Sequence, residues 1–177
     1  MKNTAIYNDF LRVIAIWEKE LEQYTPEELA QKPNPKSWSL GQVYNHLVGS
    51  TLGYHLKQVT TCLASEENRT KGKNFKGILT YNVMKSFPPK KIKVPPSETY
   101  TPKQPSGKKE LEEGLNLMKQ RMKETIDLLQ TNQKSGKSLH PGLGYLNADE
   151  WFQLVAMHLK HHLRQKARLD GFLGKRI

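Results

Sequence analysis

The chain has 177 residues, with 28 Lys and Arg against 17 Asp and Glu, a net charge of +11 and a pI near 9.7. That length fits one domain spanning 1–177, with a core large enough to need no staples, and a mean hydropathy of -0.71 describes a soluble globular chain. A lone cysteine, Cys62, excludes an internal disulfide framework and a cysteine-rich zinc knuckle, and no run reaches the roughly 18 apolar residues of a membrane helix.

The N-terminal stretch mixes Asn3, Asn8, Asp9, Arg12, Glu18 and Lys19 into its apolar residues, which no secretory signal does, so the expected compartment is the cytoplasm. A first helix is predicted over residues 4–24, where Ile6, Phe10, Val13, Ile14, Trp17 and Leu21 make one apolar face. Thr25-Pro26-Glu27-Glu28 reads as a capped turn, with Thr25 as N-cap, Pro26 in the first helical position and Glu28 closing a capping box. After the Pro-rich connector 32–35, a second helix is predicted from 37–39 to about 65, burying Leu40, Val43, Leu47, Ser50 and Tyr54. His46 falls at the edge of that stripe. His55, nine positions later, points the other way on ideal geometry and is expected at the surface. Cys62 is expected to be structural.

Residues 68–106 break the helical pattern with Gly72, Gly77, Pro88, Pro89, Pro95, Pro96, Pro102 and Pro105 and read as one long connection. Its part 75–87 has enough apolar residues to dock as a short helix or an extended segment. Arg69, Lys71, Lys73, Lys76, Lys85, Lys90, Lys91, Lys93 and Lys103 are opposed there only by Glu98. Without repeated base-stacking aromatics or a nucleic-acid motif, this suits a basic flap tuning access of an anionic substrate better than a nucleic-acid grip. A third helix is predicted over 107–133 on Leu111, Leu115, Met118, Met122, Ile126 and Leu129, the methionines as core filler. A loop over 135–146 then leads to a fourth helix that Asn147 caps with Glu150. Four helices with one long crossover describe an all-α, antiparallel four-helix bundle with a basic Pro/Gly-rich connection between helices 2 and 3.

The core-facing seam of the fourth helix runs Trp151, Val155, His158, His162, Gln165, Leu169. Two histidines and a glutamine stand where leucines are expected, and buried polar groups cost free energy unless something satisfies them. His158 and His162 lie one turn apart and can aim two imidazoles at one ion, which is half of a metal site. A third ligand must come from elsewhere.

The fragment Trp38-Ser39-Leu40-Gly41-Gln42-Val43-Tyr44-Asn45-His46-Leu47, the loop His140-Pro141-Gly142-Leu143-Gly144 leading into Glu150-Trp151, and His158 followed by His161-His162 and Gln165 resemble the DinB/YfiT-like superfamily in order and spacing. The resemblance covers nearly the whole chain. It implies a four-helix bundle with a divalent metal ion held by His46 from the second helix and by His158 and His162 from the fourth. Many relatives read His-His-Arg-Gly-Gln where this chain has His161-His162-Leu163-Arg164-Gln165, so the ligand and the glutamine stay while the two middle positions differ. Gln165 and His161 are candidates to support the ligands or face substrate, with a plain helix-surface position the alternative for His161.

Relatives are labelled metal-dependent hydrolases, or resemble transferases and isomerases that use a low-molecular-weight thiol, and often pair as homodimers. Three neutral imidazoles leave a divalent ion coordinatively open, which favours catalysis over structure. Imidazole suits zinc and nickel among others, with zinc the default. No catalytic residue is assigned. No carboxylate on the His158 face can serve as base for a metal-activated water, which tilts the expectation toward thiol transfer. The expected partner is a small, anionic substrate, with nucleic acid and membrane not expected. The competing expectations are a metal-silent interaction protein and a basic binding module for anionic partners.

Overall fold

The computed structural model of the chain describes residues 2–84, 86–87, 101–132 and 135–175. These form six helices, counting each π-helical turn with its flanks, and one two-stranded sheet, and 69% of them are helical. α1 (Lys2–Leu21) buries Phe10, Val13, Ile14, Trp17 and Leu21 as its periodicity predicts. The short α2 (Pro26–Ala30) starts at the Thr25/Glu28 capping box. α3 (Leu40–Ser50) starts at a second box, Ser39 with Gln42, and continues through a π-helical turn, Thr51–His55, into α4 (Leu56–Ala64). α5 (Phe75–Ile78) runs into another π-helical turn, Leu79–Met84. α6 (Lys108–Thr131) buries Leu111, Leu115, Met118, Met122 and Ile126. β1 (Lys137–His140) and β2 (Gly144–Asn147) pair antiparallel, and α7 (Ala148–Phe172) starts at a third box, Asn147 with Glu150.

α1 packs on α6 and α7, and α4 packs on α7, so the apolar seams share one core. Trp17 is fully buried at its centre. Its Nε1–H donates to the Leu159 carbonyl at 3.3 Å, and its own carbonyl accepts from the Tyr44 hydroxyl at 2.8 Å, which ties α1 to α7 and α3. No described helix is long and apolar enough to cross a membrane.

The structure departs from the sequence reading in three places. The predicted second helix is interrupted by the π-helical turn, in which the Leu56 N–H reaches back five residues to the Thr51 carbonyl. Ser50 contributes: its hydroxyl donates to the His46 carbonyl at 2.6 Å and the Leu47 carbonyl at 3.3 Å, competing with the backbone ladder. The wider turn shifts the helical phase from there into α4. Tyr54, expected inside, is 36% exposed, and His55, expected outside, is 5% exposed. The predicted first helix ends three residues early, at Leu21, where a turn takes over. The predicted loop 135–146 is largely the β1–β2 hairpin, whose four-residue strands carry too little alternation to announce themselves.

Part of the long connection is seated on that hairpin. Lys73 bridges to Gly144, Asn74 N–H donates to the Leu143 carbonyl at 3.0 Å, Tyr145 N–H donates to the Gly72 carbonyl at 3.1 Å, and Lys73 pairs with Glu150. The 75–87 stretch docks as the short-helix option, with Tyr81 buried and its hydroxyl donating to the Glu150 carbonyl at 2.8 Å. Lys90, Lys91 and Lys93, at the heart of the expected flap, lie outside the described residues. At this junction Gly77 has no room for a side chain, since a β-carbon there would stand 2.1 Å from the Leu143 carbonyl oxygen. Backbone on both sides must move, so Gly77→Ala is expected to lower unfolding stability by about 1–3 kcal/mol. A urea melt reads this, and an unchanged midpoint would show that the junction contributes nothing to the global fold.

Candidate metal centre

Three ring nitrogens meet inside the molecule. His46 comes from α3, beside the fully buried Leu47, and His158 and His162 come one turn apart from α7. His46 Nε2 is 3.1 Å from His158 Nε2, and His162 Nε2 is 3.0 Å from the same atom. The three side chains form a group that could hold a metal ion. The rings stand edge to face, with centroids 4.6–4.9 Å apart.

The outward nitrogens determine what the inward ones can do. Gln165 Oε1 lies 2.9 Å from His162 Nδ1. A carbonyl oxygen can only accept, so the proton sits on Nδ1 and Nε2 carries a lone pair. Ser50 has given its hydroxyl proton to the His46 and Leu47 carbonyls, so its oxygen is free to accept from His158 Nδ1 at 3.4 Å. His158 Nε2 is then bare as well. Two lone pairs facing each other at 3.0 Å repel unless a cation lies among them, so the donor set fits a divalent ion.

Burial keeps all three imidazoles neutral, as ligation requires. It pushes His46 down to about 4 and His162 down to about 3, with neighbouring histidines adding to the effect on His162, and it holds His158 well below the ordinary imidazole range. Among the described residues, none of the groups that shift these three is a carboxylate. His55, on the π-helical turn, is likewise pushed down to about 3 by burial and then by His140 and His46. Each folded pKa lies below the unfolded value near 6.5, so the unfolded chain takes up protons first as the pH falls. Stability of the metal-free chain is expected to hold at neutral pH and to fall from about pH 6.5 down to about 4 for His46 and about 3 for His162 and His55, by up to about 1.4 kcal/mol per pH unit for each such histidine. Urea midpoints across that range test this, and a flat profile would contradict burial of neutral imidazoles.

The remaining predicted residues fall close by. Gln165 accepts from His162 and so holds its ring. His161 is half-buried, with its ring 5.3 Å from His162 and 5.4 Å from Phe87, and its Nδ1 is buried without a partner. It therefore stands beside the cluster and not on an open helix surface. Cys62 is buried, its thiol near Ser138 and the Leu146 carbonyl, and burial pushes its pKa up, which suits a structural role. Sequence reasoning missed Ser50 as a partner of His158 and missed His55, whose ring lies 5.1 Å from that of His158. The only signal for His55 would have been the Gly49-Ser50 and Gly53 weak points that flank a widened turn. Trp38, in the segment before α3, covers His46 at 5.0 Å between ring centroids.

A mostly helical chain with three histidines converging from two helices defines a class of helical proteins able to hold a metal ion. A family model of the DinB superfamily matches residues 9–165, a span that takes in all three histidines and ends at Gln165. The chain belongs to the DinB superfamily. No curated protein matches it.

Proposed function

We propose that the chain is a metal-dependent enzyme that holds one divalent ion, zinc by default with nickel the next candidate, through Nε2 of His46, His158 and His162. The observation that carries this is the pair of Nε2 atoms 3.0 Å apart, which the partners at Nδ1, Gln165 for His162 and Ser50 for His158, leave without a proton. Such an ion supplies Lewis acidity, lowering the pKa of a thiol or water that reaches its open side. The chain's own part is to keep three neutral donors in place, with Gln165 and Ser50 fixing two of the rings, and to shield the site with Trp38 and the core.

Of the two reaction types open to such a site, the donor set favours transfer to or from a low-molecular-weight thiol over hydrolysis. Hydrolysis calls for a base beside the attacking water, and among the described residues no carboxylate shifts the titration of these histidines. A thiol needs only to lose its proton to become nucleophilic. The architecture we assign is an antiparallel four-helix bundle, formed as one domain by α1, α3 with α4, α6 and α7, and the basic connection within 68–106 acts as a flap that attracts an anionic small-molecule substrate. A homodimer is the proposed assembly.

Elemental analysis of protein made without a histidine tag tests the first half: about one divalent ion per chain is expected. The second half is tested by incubating the zinc-loaded chain with a low-molecular-weight thiol and an electrophilic acceptor, where conjugate formation that stops on chelation is expected. A chain that takes up no metal belongs instead to the metal-silent interaction proteins or the basic binding modules.

A further inference from the structure

Among the described residues, five buried side-chain atoms have no hydrogen-bond partner, and three of them belong to residues of the π-helical turn and of the α7 face packed on it: Thr51 Oγ1, His55 Nδ1 and Trp151 Nε1. All three residues are deeply buried, at 1%, 5% and 0% exposure. Thr51 and His55 open and close the π-helical turn. The His55 ring lies 6.2 Å from Trp151 and 5.1 Å from His158, and Trp151 is further packed by Tyr54 and His140, each at 5.3 Å. Burying a polar atom without a partner is costly, so these three unpaired atoms imply that something polar completes them.

The atoms themselves say what that is. An indole N–H can only donate, a threonine hydroxyl has a proton to give, and the His55 imidazole, whose Nδ1 has no partner to fix its tautomer, can place its one N–H there. His55 is neutral because burial disfavours its charged form. The set is matched by an oxygen with several lone pairs. His140, from the hairpin tip, roofs Trp151, and its own Nδ1 accepts from Gly142 N–H at 3.0 Å, which leaves its proton on Nε2. His140 is half-buried, so the roof faces solvent on one side. The π-helical turn is what makes the place: without it His55 would point outward, as the regular helical phase predicts.

We propose that Thr51, His55 and Trp151, roofed by His140, form a binding subsite for a carboxylate group of a small molecule whose other end faces the three-histidine cluster. The choice of a carboxylate over a neutral carbonyl rests on the proposed metal ion. Three neutral imidazoles leave a divalent ion with its full charge, and a buried carboxylate needs a cation nearby to offset its desolvation. Metal and subsite therefore favour the same anion from two sides.

The test follows the Trp151 indole N–H by nitrogen NMR, its resonance identified by its loss in Trp151→Phe, while sodium acetate is added to the zinc-loaded and the metal-free chain. Acetamide is the neutral control. Acetate is expected to move the resonance saturably, acetamide to move it less, and Thr51→Val and His55→Phe each to weaken the acetate response about tenfold or more, as loss of a hydrogen bond to a charged group does. Zinc content is expected to be the same in wild type and Thr51→Val. Thr51→Val is near-isosteric, so its result stands even where His55→Phe fails to fold. A resonance that acetate never moves, in either form, overturns the subsite and leaves water as the partner of these atoms. Equal responses to acetate and acetamide overturn the carboxylate assignment. A chain that takes up no zinc refutes the metal reading, and the metal-free titration then decides the subsite alone: a shift that depends on Thr51 supports it, and no shift overturns it.

Discussion

His158→Ala is expected to remove bound zinc altogether under conditions where the wild-type chain holds about one equivalent. His158 is the hub of the cluster, its Nε2 within 3.1 Å of both other ligand nitrogens. The effect should be graded through the surrounding groups. Gln165→Leu leaves all three ligands but frees the His162 ring to take the wrong tautomer, so affinity is expected to fall about ten- to a hundredfold. Ser50→Ala, whose contact to His158 is longer at 3.4 Å, belongs at the low end of that range. His46→Ala and His162→Ala should each exceed the Gln165 effect, since two imidazoles hold a labile ion less well than three. Competition against a coloured zinc chelator gives all five affinities on one scale. The assignment fails if the alanine variants of His46, His158 and His162 bind zinc as tightly as wild type.

The histidine pair on α7 was legible in sequence because helical spacing is rigid where the helix is regular, while His46 entered only through the family resemblance. His158 and His162 are one turn apart on an uninterrupted α7, and nothing in tertiary structure changes that relation. The capping boxes at Thr25 and Asn147 were legible for the same reason, since each is a local bond pattern complete within four residues, whereas the Ser39–Gln42 box emerged only with the fold. What lay beyond reach was the phase after Ser50. A π-helical turn is one backbone bond slipped by one residue, and no residue type compels it. That slip exchanged the fates of Tyr54 and His55, and with them the whole environment of Trp151. The hairpin was hidden differently: its strands are held by the 72–74 segment and by Glu150 as much as by each other, contacts that only the folded chain supplies.

The other large effect is expected at the far end of α7. Lys166 is 6% exposed and Asp170, one turn on, is also 6% exposed. The Lys166 ammonium donates to Asp170 Oδ2 at 2.7 Å and to Glu20 Oε2 of α1 at 2.5 Å, while the Tyr24 hydroxyl donates to Asp170 Oδ1 at 2.5 Å. Burial by itself would lower the Lys166 pKa, but the hydrogen bonds to Asp170, Glu20 and Tyr24 outweigh it and hold the amine above the usual lysine range. Lys166→Met therefore leaves the Asp170 carboxylate buried with no cation, and a loss of about 3–5 kcal/mol in unfolding stability is expected. The double variant Lys166→Met with Asp170→Leu should recover much of that, because replacing both charges by apolar groups removes the stranded ion together with the bond. Urea unfolding of the wild type, the single and the double variant measures both steps. A single variant that costs less than about 1 kcal/mol would mean that the pair behaves as an exposed ion pair does. A double variant no more stable than the single would mean that the Tyr24 and Glu20 contacts, and not the stranded charge, set the cost. Zinc affinity is expected to survive in the double variant, since Trp17 to Leu159 and Gln165 to His162 fix α7 between the network and the ligands without passing through Lys166.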